Sequence, residues 1–166
     1  MKIKIVSEDR YLPTYANNTD ACMDLKARIL HKTEFDVGPD PTFDPYTPDS
    51  ITIQPGETVK LHTGIKVAVP EGYVMKVYVR SSVGIKRNLC LANGTGIIDS
   101  GYRDEIIMAL HNFGNEPQDI CDGDRLCQFI ILPYPKVELE QVKDDKNFRT
   151  GDRGGGIGST GKWKLG

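Results

Sequence analysis

A chain of 166 residues, 39% hydrophobic and 27% charged, fits one soluble globular domain with a sizeable core and excludes a disordered protein. Its formal net charge of −2 argues against a nucleic-acid binder that works by neutralising phosphates. No apolar run approaches the ~20 residues of a membrane span. The N-terminus carries no signal-peptide pattern, and Cys22, Cys90, Cys121 and Cys127 include no C-x-x-C pair. Reduced thiols and a cytoplasmic protein (host cytoplasm, if viral) are expected, rather than a zinc cluster or a disulfide framework.

In chain order, the first alternating stretch is residues 2–6. Residues 34–50 hold Pro39, Pro41, Pro45 and Pro48 among several aspartates, which reads as an extended surface insertion. Alternation returns in parts of 57–69 and across 73–80, where Met75, Val77 and Val79 share a face. A brief helix over 81–86 follows, with Ser81 or Ser82 as N-cap. Asn93-Gly94 is a short-hairpin signal, because both residues tolerate positive φ. Residues 105–110 and 126–132 are short apolar runs suited to strands buried on both sides. Turn signals at 54–56, 70–72, 115–117 and 122–124 punctuate this pattern. An all-β fold results, a distorted jelly roll or small barrel over 1–147, ending in a glycine-rich arm over 148–166.

Four stretches carry chemistry. Arg80-Ser81-Ser82 offers a guanidinium, two hydroxyls and helix-start amides to a phosphate, although a capped surface turn uses the same residues. Asp99 leaves an apolar strand end, where it suits a general base, or simply starts a turn. In Asp122-Gly123-Asp124-Arg125-Leu126-Cys127-Gln128 a turn feeds a strand, which alone reads as a hairpin with a buried or semi-buried polar pair, since Arg125 and Gln128 need polar partners. From Arg153 to Lys162, glycines embed Ser159 and Thr160 in what reads as a phosphate-wrapping arm or a linker. Gly156–Lys162 matches the spacing of a P-loop, but Trp163 stands where that motif needs Ser or Thr, so a P-loop is rejected.

Together with Asp20-Ala21-Cys22-Met23-Asp24-Leu25, similar to Asp-Ala-Gly-Tyr-Asp-Leu, these motifs in this order and spacing resemble the trimeric all-β dUTPases over about residues 2–163. The resemblance implies hydrolysis of dUTP to dUMP and pyrophosphate with Mg²⁺, in a homotrimer whose active sites are shared between subunits. It implies that Asp99 activates the attacking water. Asn93 and the backbone near Gly96 and Ile98 would read uracil, and Tyr102 would lie against the deoxyribose and exclude a 2′-hydroxyl. Arg80, Ser81, Ser82 and Gln128 would meet the phosphates, and Asp24 would face the hydrated metal through water. Arg153, Ile157, Gly158, Ser159 and Thr160 would close over the substrate. The chain departs from the family where Cys22 and Met23 replace Gly-Tyr, Asp104 replaces a common Gly, and Ile157 stands where an aromatic often stacks on the base. Two alternatives are a dCTP deaminase of the same fold, with Glu105 the nearest carboxylate for that chemistry, and a nucleotide-sensing protein that binds a protein partner through 34–50. No nucleic-acid or membrane partner is expected.

Overall fold

The computed structural model describes residues 1–29 and 50–143. The expectations for residues 34–49 and for the arm over 148–166 lie outside these. Two compact units are distinguished, Met1–Pro135 and Lys136–Gly166, and the described part of the second, 136–143, forms no strand.

The first unit is built of short antiparallel strands. In order they are β1 (Lys4–Val6), β2 (Met23–Lys26), β3 (Ser50–Ile53), β4 (Thr58–His62), β5 (Lys66–Ala68), β6 (Tyr73–Val79), β7 (Leu89–Leu91), β8 (Gly96–Ile98), β9 (Ile107–Asn112), β10 (Gln118–Cys121) and β11 (Arg125–Pro133). Ser50, expected at the end of the insertion, opens β3. A 3-10 turn covers Asp9–Tyr11, and α1 (Ser81–Arg87) is the one α-helix among the described residues. Four sheets result, ordered β2-β11-β6-β8, β4-β9-β7, β1-β5 and β3-β10.

Alternation decides which face each strand buries. On β6, Met75 and Val77 are buried and Val79 packs against the core. They meet Leu25, Leu61, Met108, Leu110, Ile120, Leu126 and Phe129 in one cluster. Burial of each such side chain contributes about 1.5–3 kcal/mol. Strand β11 is central, paired with β2 on one side and β6 on the other. A register shift between Arg125 and Cys127 turns both Leu126 and Cys127 inward, which alternation alone would not do. Strand β9, expected to be buried on both sides, alternates instead: Ile107 is exposed while Met108 and Leu110 are buried. Its apolar run reflects one buried face plus one surface isoleucine.

Two local expectations are corrected. Asn93-Gly94 does form a tight turn, with Gly94 at φ 70° and its N–H donating to the Leu91 carbonyl. The flanking strands do not pair with each other, however: β7 pairs with β9 and β8 with β6. Likewise the turn at 122–124 joins β10, which pairs with β3, to β11 of another sheet. Both turns are corners between sheets, the arrangement of a jelly roll.

Candidate functional site

A polar cleft of about 260 Å³ opens at the C-terminal end of β6, lined by Ala16, Asp20, Ala21, Cys22, Asp24, Arg80, Ser81, Ser82 and Gln128. Three separate stretches meet there because β11 lies between β2 and β6. Gln128 is in register with Asp24 on one side and Tyr78 on the other.

Asp24 is the electrostatic centre of the cleft wall. Its side chain is only 8% exposed and accepts from Arg80 Nε at 3.0 Å and Arg125 Nη1 at 3.2 Å. Its backbone N–H donates to the Thr14 carbonyl, tying β2 to the preceding loop. Arg80 is held further by its Nη1, which donates to the Arg125 carbonyl at 3.0 Å. A guanidinium fixed at two points is pre-organised, and its remaining N–H groups are free to meet an anion. The sequence reading missed Arg125 as a partner of Asp24. The two are 101 residues apart, and no local pattern could pair them.

Ser81 and Ser82 are not N-caps. Arg80 occupies that position with extended dihedrals, and no side-chain cap hydrogen bond closes the helix start. Both serines are exposed in the first turn, where their hydroxyls line the cleft instead of serving the helix. The C-terminal end is closed by Asn88 in the left-handed region at φ 53°.

The second group of expected site residues lies elsewhere. Asn93, Asp99 and Tyr102 are exposed, and none of them lines the cleft. Gly96 sits where an added Cβ would lie 3.0 Å from Val77 Cβ, so any larger residue must push the paired strand aside. The Ile98 side chain packs against the core. Ile98 is in register with Met75, which places Asp99 beyond that pair toward the start of β6, whereas Arg80 follows its end. The step from Met75 to Arg80 is about 17 Å at ~3.3 Å per residue. Asp99 and Arg80 of one chain therefore lie toward opposite ends of one strand. Arg153, Ile157, Gly158, Ser159 and Thr160 lie outside the described residues.

Glu105 is committed to the scaffold. Its carboxylate accepts from the N–H groups of Gly64 at 2.7 Å and Thr63 at 3.0 Å, and faces His62 Nδ1 at 3.0 Å. Burial pushes its pKa up, but the bonds from His62, Gly64 and Thr63 outweigh that and hold the carboxyl below its ordinary range. A carboxylate so engaged is a poor proton carrier, which counts against the deaminase alternative.

Among the described residues no group of three or more His, Cys, Asp or Glu side chains could hold a metal ion, and no helix is long and apolar enough to cross a membrane. Both oxygens of Asp24 are engaged by arginines. That donor set fits a cation carried by a ligand's phosphates and reached through water, the usual habit of Mg²⁺.

Known proteins match the chain along most of its length. The dUTPase family model matches residues 28–161. The deoxyuridine 5′-triphosphate nucleotidohydrolase of Finegoldia magna is 35% identical over 97% of this chain and 99% of its own length. That of Desulfitobacterium hafniense is 37% identical over 97% of this chain and 95% of its own. In fold, the chain is similar to the dUTPase of Staphylococcus bacteriophage 80alpha solved with dUpNHpp, with a TM-score of 0.74 at 22% identity over 97% of this chain and 99% of that one. It is also similar to the dUTPase of phage phi11 of S. aureus, solved with a structural Mg(II) ion, with a TM-score of 0.66 at 22% identity over 87% of this chain and 98% of that one. The family match spans most of the sequence and the curated relatives span nearly all of it: the chain belongs to the dUTPase family.

Proposed function

We propose that the cleft around Arg80 grips the triphosphate of dUTP while Asp99 of another copy of the chain activates the water that attacks the α-phosphorus. The overall reaction is that of a dUTP diphosphatase: dUTP and water give dUMP and pyrophosphate. The observation that carries the division of labour is the placement of Asp99 and Arg80 at opposite ends of β6. A nucleophile must come within ~3–3.5 Å of the reacting atom. One chain's Asp99 and Arg80 cannot both serve one phosphorus, and a symmetric assembly that sets one subunit's Asp99 beside the next subunit's cleft removes the conflict. A homotrimer, with 148–166 supplying the closing arm through Arg153, Ser159 and Thr160, completes the site.

Within that site Asp99 takes the proton of the attacking water, and its exposed position leaves it open to solvent until substrate and arm exclude it. Arg80 and the hydroxyls of Ser81 and Ser82 meet the charge that builds on the departing pyrophosphate. Asp24 orients Arg80 and would accept from water bound to a cation, with Gln128 beside it in the cleft. Mg²⁺, when bound on the triphosphate, supplies charge neutralisation. Backbone groups at Asn93, Gly96 and Ile98 pair with uracil, whose acceptor-donor-acceptor edge cytosine does not reproduce. Tyr102 packs on the deoxyribose. Position 157 presents isoleucine to the base.

The test is turnover of dUTP, dCTP, dTTP and UTP with Mg²⁺, reading pyrophosphate and ammonia. Pyrophosphate from dUTP alone, falling by about 10²-fold or more in Asp99→Asn, is expected. Ammonia from dCTP would replace this reading with a deaminase. Mixing inactive Asp99→Asn with inactive Arg80→Ala, after unfolding and refolding together, should restore activity; a mixture that stays inactive removes the shared site.

A further inference from the structure

Tyr102 is tied down at both ends. Its backbone N–H donates to the Asp99 carbonyl at 3.1 Å, and its hydroxyl donates to the Glu105 carbonyl at 2.8 Å. The loop from β8 to β9 is thus folded upon Tyr102, a residue that itself remains 37% exposed. A bond to a backbone carbonyl orients a ring only as well as that carbonyl is held.

Glu105 is held at both of its carboxylate oxygens. Successive amides at Thr63 and Gly64 converge on one of its carboxylate oxygens, and His62 faces the other. Gly64 lies at φ 68°, so the two N–H groups curl around one anion, and a Cβ there would come within 2.7 Å of Arg28 Cδ. The next residue is fixed as well. Thr63 Oγ1 donates to the Ile106 carbonyl at 2.7 Å, and the Ile106 N–H donates to the Ile65 carbonyl at 2.9 Å. Thr63 and Ile106 are both fully or almost fully buried. The carbonyl that receives the Tyr102 hydroxyl therefore belongs to a residue anchored to the turn between β4 and β5, three positions along the chain from the ring.

We infer that Glu105 is a positioning residue: by fixing its own backbone to the 62–65 turn it sets the pose of Tyr102, and so the discrimination between a deoxyribose and a ribose nucleotide. The inference rests on the reading that Tyr102 packs on the sugar. Exclusion of one hydroxyl demands sub-ångström control of the packing ring, and a free loop does not supply it. The Glu105 carboxylate is the connection from loop to scaffold.

The experiment compares kcat/KM for dUTP and UTP in wild type, Glu105→Ala, Glu105→Gln, Tyr102→Phe, Tyr102→Ala and the Tyr102→Phe/Glu105→Ala double variant. Glu105→Ala should lower the dUTP-to-UTP ratio by about tenfold or more, and Tyr102→Phe, which deletes the hydroxyl bond alone, should lower it similarly. The double variant should be little worse than either single one, since both cut the same connection. Glu105→Gln keeps an acceptor for the two amides and should fall between. A merely structural Glu105 would lower thermal stability and the active fraction with the ratio unchanged, and that result overturns the inference. If Glu105→Ala does not fold, an unchanged ratio in Tyr102→Phe overturns it alone. Failure of the underlying reading looks different: Tyr102→Ala itself would then leave the ratio at the wild-type value.

Discussion

Asp24 is nearly buried between two arginines, and Asp24→Asn separates its charge from its shape. The side chain is 8% exposed and bridges Arg80 at 3.0 Å and Arg125 at 3.2 Å. Removing one partner of a fully buried pair costs about 3–5 kcal/mol, because the remaining charge is stranded. Here the arginines are 25% and 49% exposed, so water compensates part of the loss, and exposed pairs are worth under ~1 kcal/mol. A cost of about 2–4 kcal/mol follows. At ~2–4 °C per kcal/mol for a chain of this size, Tm should fall by roughly 5–15 °C. Differential scanning calorimetry at one fixed protein concentration reads this, since assembly contributes to stability. In the same variant Arg80 loses its Nε anchor, and KM for dUTP should rise by about tenfold, or ~1.4 kcal/mol of binding. A Tm within about 1 °C of wild type would refute the argument that Asp24 neutralises the two arginines.

Other outcomes follow from buried groups outside the cleft. Tyr11 donates its hydroxyl to Asp122 Oδ1 at 2.7 Å, and burial, then that bond, pushes its pKa up to about 12. Tyr11→Phe should cost about 1–1.5 kcal/mol in urea unfolding. With the folded pKa above the ordinary 10.0, this contribution is complete below pH 10 and disappears as pH rises through 12, so a difference from Tyr11→Phe that stays constant to high pH would contradict it. For Glu105 the sign reverses. Its carboxyl titrates below the ordinary 4.5, so its stabilisation is complete above that value and lost as pH falls through the lower folded pKa. The stability gap between wild type and Glu105→Gln should therefore shrink in acid, and a pH-independent gap would count against the His62–Gly64–Thr63 clasp. Burial pushes the Cys127 thiol up to about 12, whereas Cys22 lines the cleft. Iodoacetamide on the native protein should leave Cys127 unmodified by mass spectrometry and modify Cys22, more slowly when a non-hydrolysable dUTP analogue with Mg²⁺ is present; rapid modification of Cys127 would show that the core opens.

The sequence by itself determined the fold class, the positions of most strands and turns, and the family. Alternation at Met75, Val77 and Val79 and the turn residues beside them are local properties, dictated by the pleat of a strand and by which residues accept positive φ. Arg80, Ser81, Ser82 and Asp99 were singled out from residue type and near neighbours, and the structure brings the first three to one cleft. Tertiary structure decided what no local rule contains. Asn93-Gly94 and Asp122-Gly123-Asp124 looked like hairpin turns, yet the strands on either side enter different sheets, since pairing partners are chosen by distant apolar faces. Ser81 and Ser82 lost their expected role as caps once Arg80 took that position. Above all, the ion pair of Asp24 with Arg125 and the separation of Asp99 from Arg80 along β6 depend on register across β2, β11, β6 and β8. Register is set when the whole core packs, so a chain read one residue at a time cannot show that Asp99 and Arg80 are kept apart.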